Sequence, residues 1–373
     1  MDFNFKEEQL AFADALKRWV TKDYSFDERK KIIHSTEGVS DAAWSTLTEL
    51  GMLALPVPEA QGGFNGSALD MFVVMQELGR GLVVEPYLAT VLGAQFLKLG
   101  GGHDSLLEQV AAGELKLACA LGEKQSRHDL TAIATTATAS ADGFVLDGAK
   151  TVVLHGAQAG QLIVSARSGG AIALFVVPAD APGVTITDYR TLDGQRAANI
   201  VFKQVQLPAS AQIGTDGAGI LDQAADYGAA LLCAEALGAM EAIFAATLDY
   251  LKTRSQFGAP IGKFQALQHR MADMYIHLEQ ARSMALLAAV KVDASDAGER
   301  RRTVSAAKFR VGQALKFVGQ QAVQLHGGMG VTDELPAAHH FKRLTMIELT
   351  LGDSDHHLQR FIAQPGFAEG IVE

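Results

Sequence analysis

GFVLDGAKTVVLHG, residues 143–156, decides the fold. Valine, leucine, phenylalanine and threonine dominate it, and glycine and aspartate punctuate it. Runs of the same kind surround it: LKLACAL (115–121), QLIVSAR (161–167), AIALFVVPA (171–179), GVTITDY (183–189) and NIVFKQVQL (199–207). Such residues suit a pleated, half-buried surface, while the Gly, Asp, Asn and Pro between them break regular structure. The pattern predicts an antiparallel sheet or barrel rather than a βαβ unit. Asp142-Gly143 predicts a hairpin turn.

Outward from this segment the chain reads as helical. On the N-terminal side, Phe5, Leu10, Phe12 and Leu16 fall near one helical face. A helix from Asp41 to Leu50 has Ser40 as its cap and stops at Gly51. PVPEAQGGFNGS (56–67) reads as a loop, a helix runs from Ala68 to Gly79, and GGGHDS (100–105) breaks the pattern. On the C-terminal side, helices are predicted over roughly 220–253, from Phe264 towards Val292, and over roughly 301–325. Leu267, Met271, Met274 and Leu278 recur at helical spacing as a buried stripe. The reading is an α+β chain of three parts. Residues 1–115 form an N-terminal helical bundle, 116–213 a central antiparallel β-domain, and 214–373 a C-terminal four-helix bundle.

Composition narrows the function classes. Of 373 residues, 48% are hydrophobic and 20% charged, which excludes a mainly disordered chain. Thirty-two basic against 42 acidic residues give a net charge of −10, which disfavours nucleic-acid partners. Two cysteines, Cys119 and Cys233, cannot build a disulfide scaffold. The adjacent pairs His339-His340 and His356-His357 point about 100° apart on a helix, so no metal is expected. GAALLCAEALGAMEAIFAA (228–246) is long and apolar, but Glu235 and Glu241 interrupt it. A buried bundle helix is expected there rather than a membrane span. The N-terminus lacks the basic-then-apolar order of a signal peptide, and a cytoplasmic location is expected.

Chemistry-bearing residues concentrate in the last third. In RSQFGAPIGKFQALQHRMADM (254–274), Arg254 ends one helix and Phe257-Gly258 turns into the next. A guanidinium can grip a phosphate through two parallel hydrogen bonds. Gln265 and Gln268, three apart, share a helical face. In QLHGGMG (324–330), Gly327 and Gly328 allow close backbone approach, with Gln324 and His326 beside them. A helix C-cap and tight turn would explain the same glycines.

These two segments together resemble the C-terminal flavin-binding region of the acyl-CoA dehydrogenase family. PEAQGGFNGSALDMFVVMQELGR (58–80) is similar to the family's N-terminal helical segment, and the α–β–α order fits along the whole chain. LTLGDSDHHLQRF (349–361) is similar to the small-subunit type of pimeloyl-CoA dehydrogenase within that family. The resemblance implies FAD shared between subunits. Arg254 would pair with the pyrophosphate of a neighbour's cofactor, and Phe257 would pack by the adenine. Gln265 and Gln268 would lie along the adenosine half, with Gln324, Gly327 and Gly328 touching the same cofactor. It also implies α,β-dehydrogenation of an acyl-CoA thioester, with a carboxylate taking the α-proton. Electrons would pass to an electron-transfer flavoprotein, and the chain would be a homo-oligomer or pair with a homologous subunit.

Some positions depart from the family pattern. Where the family has a catalytic glutamate before a glycine, this chain has Leu351-Gly352. Its alternative location falls on Gly228. Asp353 is the leading substitute base, with Glu348 the alternative. LGEKQSRHD (121–129) aligns with the family's TEPxxGSD-like loop and keeps Glu123 and Asp129, with Ser126 or Gln125 left for polar contact with the cofactor. The family's tryptophan and threonine over the flavin become Val152 and Leu154, with His155 next. Two readings follow: an active dehydrogenase with a displaced base, or a half-site subunit that completes a partner's FAD pocket.

Overall fold

A computed structural model describes residues 5–365. Six helices come first: α1 (Glu7–Lys22), α2 (Phe26–His34), α3 (Asp41–Glu49), α4 (Ala68–Arg80), α5 (Tyr87–Gly100) and α6 (Asp104–Ala111). Seven strands follow: β1 (Leu117–Ala120), β2 (Thr136–Ser140), β3 (Gly143–Leu154), β4 (Gln161–Ser168), β5 (Ala171–Pro178), β6 (Val184–Arg190) and β7 (Arg196–Pro208). Then come α7 (Gly217–Thr253), a small hairpin of β8 (Ser255–Gln256) and β9 (Ala259–Pro260), α8 (Gln265–Lys291), α9 (Ala297–His326), α10 (Pro336–Leu349) and α11 (Ser354–Ile362). The described chain forms two compact units that cut across the three-part reading.

One unit holds residues 30–67 and 84–228. Its sheet runs β1-β4-β2-β3-β7-β6, with β5 beside β4. Most pairs are antiparallel, as the alternating runs suggest. β1 departs from the expectation: it pairs parallel with β4, Leu117 opposite Gln161. Parallel neighbours require a long crossover, and here β2 and β3 lie in the connection. Phe175, Phe202, Leu146, Val164 and Ile200 fill the core of the sheet. Ser40 caps α3 by accepting the Ala43 N–H at 3.2 Å. After Leu50 the Met52 N–H returns to the Leu47 carbonyl, closing the helix at Gly51.

The other unit holds residues up to 29, 68–83 and those from 229 on. The N-terminal helices are therefore divided, α1 and α4 joining the C-terminal helices. Close approach of backbones explains why. A Cβ on Gly79 of α4 would run into the Glu235 carbonyl of α7, and one on Gly238 of α7 into the Gln76 carbonyl of α4. Only glycine allows that crossing. The buried stripe of α8 is present, with Met271, Met274 and Leu278 buried. On α1 the face shifts: Leu10 is half exposed while Gln9 is buried and donates to Asp70 at 2.8 Å.

Both glutamates that interrupt the apolar run of α7 have partners within this unit. Glu235 takes a two-pronged bond from Arg343, Nε to Oε1 at 2.6 Å and Nη2 to Oε2 at 2.9 Å, both residues buried. Glu241 binds Arg80, Arg282 and Gln76. In the most apolar 18-residue window of α7, 72% is buried. The helix meets the length and composition test for a membrane span, but it is packed like a core helix.

Candidate cofactor site

Arg254 follows the last residue of α7. Its N–H donates to the Tyr250 carbonyl and its own carbonyl accepts from Ile261, each at 2.8 Å. Between β8 and β9, Phe257 (φ +55°) and Gly258 (φ +77°) form a two-residue loop with both residues left-handed, as a tight hairpin requires. The turn thrusts Phe257 into solvent at 91% exposure, its ring 6.1 Å from that of Phe264. Gln265 opens α8 and is exposed. Gln268 is exposed as well, and its amide donates to the Gly262 carbonyl at 2.9 Å.

Folding brings this hairpin beside the glycine turn, 70 residues further on. The Tyr250 ring stacks on His326 at 4.6 Å, one turn before Arg254 and one residue before Gly327. Gly327 (φ +62°) ends α9, donating its N–H to the Gln324 carbonyl, so the cap reading of this turn also holds. Gln324, Gly327 and Gly328 are exposed, and a Cβ on either glycine would meet nothing within 4 Å. The face thus offers a guanidinium, an aromatic ring, amide side chains and an open glycine backbone. That donor set fits a dinucleotide: an anionic diphosphate and a flat heterocycle.

Ser126 and His155 belong to the sheet-containing unit. Ser126 is buried, and its hydroxyl serves its own loop, donating to the Glu123 carbonyl at 2.9 Å and accepting the Glu123 N–H at 3.0 Å. The Glu123 carboxylate organises the loop around it. It accepts from Lys150 Nζ at 2.8 Å, Gln125 Nε2 at 2.7 Å, Ala134 N–H at 2.8 Å and Thr135 N–H at 3.1 Å. Burial alone would raise the Glu123 carboxyl, but these donors outweigh it and hold it down at about 2. Lys150, fully buried, is pulled down to about 8 by burial while Glu123 supports its charge.

Glu123 makes acid stability predictable. Its carboxyl is lowered in the fold from an ordinary 4.5. The stability it contributes is therefore complete above about pH 4.5 and is lost as pH falls towards 2. Glu123→Gln is expected to flatten the fall in stability across that window, measured by thermal unfolding at stepped pH. An unchanged acid slope would remove Glu123 as its source.

Beyond Lys150, β3 bulges against β7, three residues spanning two. Val152 takes a left-handed φ of +54° and is half exposed, and His155, φ +55°, is buried and donates its N–H to the Arg196 carbonyl. A β-branched residue held left-handed costs energy, and such strain concentrates at functional surfaces.

The carboxylates near Gly352 have structural duties. Asp353 caps α11, accepting the His356 N–H at 2.8 Å. Glu348 is buried; its Oε1 accepts from Ser354 N–H (3.0 Å), Ser354 Oγ (2.7 Å) and Lys316 Nζ (2.6 Å). These bonds engage Oδ1 of Asp353 and Oε1 of Glu348. The paired histidines are bonded separately. His339 Nδ1 faces Arg29 at 3.0 Å and its Nε2 the Asp333 carbonyl at 3.1 Å. His357 Nε2 lies 2.9 Å from the Leu351 carbonyl. Burial pushes His340 and His357 each down to about 3, so both are neutral at physiological pH.

Sequence reasoning missed Lys150, Lys308 and Arg343. Their signal was a lone cation inside an otherwise apolar period, which marks a buried charge but not its partner.

In chain order, helices precede and follow a β-sheet segment, an α–β–α sequence of elements, and the C-terminal helices carry an exposed guanidinium–glycine face whose donors fit a dinucleotide. The chain belongs to the acyl-CoA dehydrogenase family. Its N-terminal domain matches residues 6–114, its middle domain 118–205 and its C-terminal domain 215–364. The human mitochondrial short-chain specific acyl-CoA dehydrogenase is 30% identical over 84% of this chain and 79% of that protein. Similar solved structures include the following three. The Tcur3481-Tcur3483 steroid ACAD G363A variant has a TM-score of 0.90 at 29% identity, covering 98% and 99% of the two chains. The ChsE4-ChsE5 complex from Mycobacterium tuberculosis has 0.89 at 27%, covering 100% and 99%. PigA with FAD and proline has 0.90 at 25%, covering 99% and 100%.

Proposed function

We propose that this chain is an FAD-dependent acyl-CoA dehydrogenase subunit that dehydrogenates the Cα–Cβ bond of an acyl-CoA thioester and passes electrons to an electron-transfer flavoprotein. The observation that carries the reading is the shared face of the Arg254 hairpin and the Gln324–Gly328 turn, left open on the unit's surface. Arg254 would hold the diphosphate, Phe257 would lie against the adenine, and Gln265, Gln268, Gln324, Gly327 and Gly328 would surround the adenosine half. Because the residues of this face are exposed, it suits a cofactor held against a neighbouring subunit. FAD, when bound, supplies the two-electron acceptor.

A yellow protein whose flavin spectrum bleaches with acyl-CoA thioesters is the expected result; a colourless chain that ignores added FAD would defeat the reading. Arg254→Ala is expected to stay folded and weaken FAD binding about 10–100-fold, the loss of one charge-assisted contact. Titration of the apoprotein with FAD measures it. Undiminished affinity would show that the guanidinium faces something else.

A second reading is favoured by a specific observation. Leu351 stands where the family pattern puts its carboxylate, and Asp353 and Glu348 are spent on a cap and a buried network. On that reading the chain is one half of a hetero-oligomer, completing the pocket of a homologous, base-bearing subunit. Two of the similar structures, the Tcur3481-Tcur3483 steroid ACAD variant and the ChsE4-ChsE5 complex, are compatible with such pairing. Turnover only after co-expression with a homologous subunit supports it; turnover by the isolated chain excludes it.

A further inference from the structure

The turn after α10 is held more tightly than its length requires. Leu351 has φ +53° and Gly352 φ +103°, so two successive residues are left-handed, and the first is a leucine. A non-glycine residue stays there only when its surroundings over-determine it. Lys308, on α9, supplies that constraint. It is fully buried, and its ammonium donates to the carbonyls of Ile347 at 3.0 Å, Glu348 at 3.1 Å and Gly352 at 2.8 Å. All three of its protons are thereby spent on the carbonyls that leave α10 and close the turn. His357 reaches the Leu351 carbonyl, and Glu348 Oε1 reaches the Ser354 N–H and hydroxyl. A Cβ on Gly312, one turn from Lys308, would collide with Glu348 Oε2 and Ser354 Oγ, so α9 is shaped to admit this network.

A buried lysine is a costly helix cap. Burial disfavours its charge, and Glu348, Asp353 and Cys233 nearby offset that while Lys316 adds to it. Arrangements of this cost serve positional accuracy more naturally than stability. We infer that Lys308 is a positioning residue for the dehydrogenation: it fixes the backbone of residues 350–353, and so the point from which residue 351 faces the reacting acyl carbon. The inference rests on the dehydrogenase reading for its second half only; the clamp itself is a property of the fold.

Two readouts on the full chain with FAD separate those halves. The first is amide hydrogen exchange at Ser354, His356 and His357. Lys308→Met, which keeps the length of the side chain and removes its donors, is expected to speed exchange there roughly 10–100-fold, leaving α8 and the Arg254 hairpin unchanged. Lys308→Gln, keeping one donor group, is expected to fall between. The second is anaerobic flavin reduction by butyryl-CoA in the Leu351→Glu background, where residue 351 carries a carboxylate that can take the α-proton. Lys308→Met is expected to lower the maximal reduction rate about 100-fold, with FAD content and half-saturating thioester concentration unchanged. Val304→Ala, a buried change on the same helix, controls for lost stability and is expected to keep the rate. Unaltered exchange in both Lys308 variants overturns the clamp. Faster exchange with an unaltered rate, or an equal fall in Val304→Ala, overturns the positioning role. A parent chain that holds FAD but is reduced by no thioester refutes the dehydrogenase reading, and with it the positioning role, while the exchange arm still decides the clamp.

Discussion

Glu235→Ala is expected to destabilise the protein by about 3–5 kcal/mol, seen as a large drop in the thermal midpoint and in soluble yield. Glu235 and Arg343 are both nearly inaccessible, and their two parallel bonds tie α7 to α10. The pair's net worth is small, because desolvation offsets most of its attraction. Removing one partner is different: it takes the Glu235 counter-charge away from a guanidinium held in the interior. Arg343→Ala should therefore cost a similar amount. The double change Glu235→Leu with Arg343→Met is expected to recover most of the loss, since apolar side chains of similar volume remove both charges together. If the double variant is as unstable as the sum of the singles, the pair is not acting as a unit.

Leu351→Glu is expected to raise the rate at which an acyl-CoA thioester bleaches the bound flavin by about 10²–10⁴-fold, the usual contribution of a positioned general base. The turn is already built, clamped by Lys308 and His357 at its carbonyls, and the left-handed backbone at 351 costs glutamate no more than leucine. A gain of that size supports the half-site reading, in which this chain has the frame but not the carboxylate. No gain, with the flavin still bound, would mean that residue 351 does not reach the reacting carbon or that another group already serves as base. Asp353→Asn complements this test. Asparagine caps a helix as well as aspartate, so the variant isolates the charge from the cap. Retained stability with a lost reduction rate would identify Asp353 as the base.

Much of the fold was legible in local patterns. Strand runs, the Ser40 cap and the methionine stripe of α8 each depend on residues a few positions apart, and all appear where the sequence puts them. The grouping of the N-terminal helices was not legible. It depends on Gly79 and Gly238, which are 159 residues apart and look alone like ordinary helix glycines. Leu10 shows the same limit: periodicity gives a face, but the neighbour that covers it decides whether the face is buried.

The site divides in the same way. The sequence by itself supplied the groups that the proposed dinucleotide site would use, because an arginine–aromatic–glycine hairpin and a double-glycine turn carry their properties in their own side chains and backbone. Only the tertiary structure decided that Tyr250 and His326 bring those turns together, that Asp353 and Glu348 are held in structural bonds, and that Lys308 grips the turn at Leu351. The physical reason is that a charge's role is set by its partners once water is excluded. Those partners lie 40 to 108 residues away in Lys308–Glu348 and Glu235–Arg343, a distance over which the chain's local pattern carries no information.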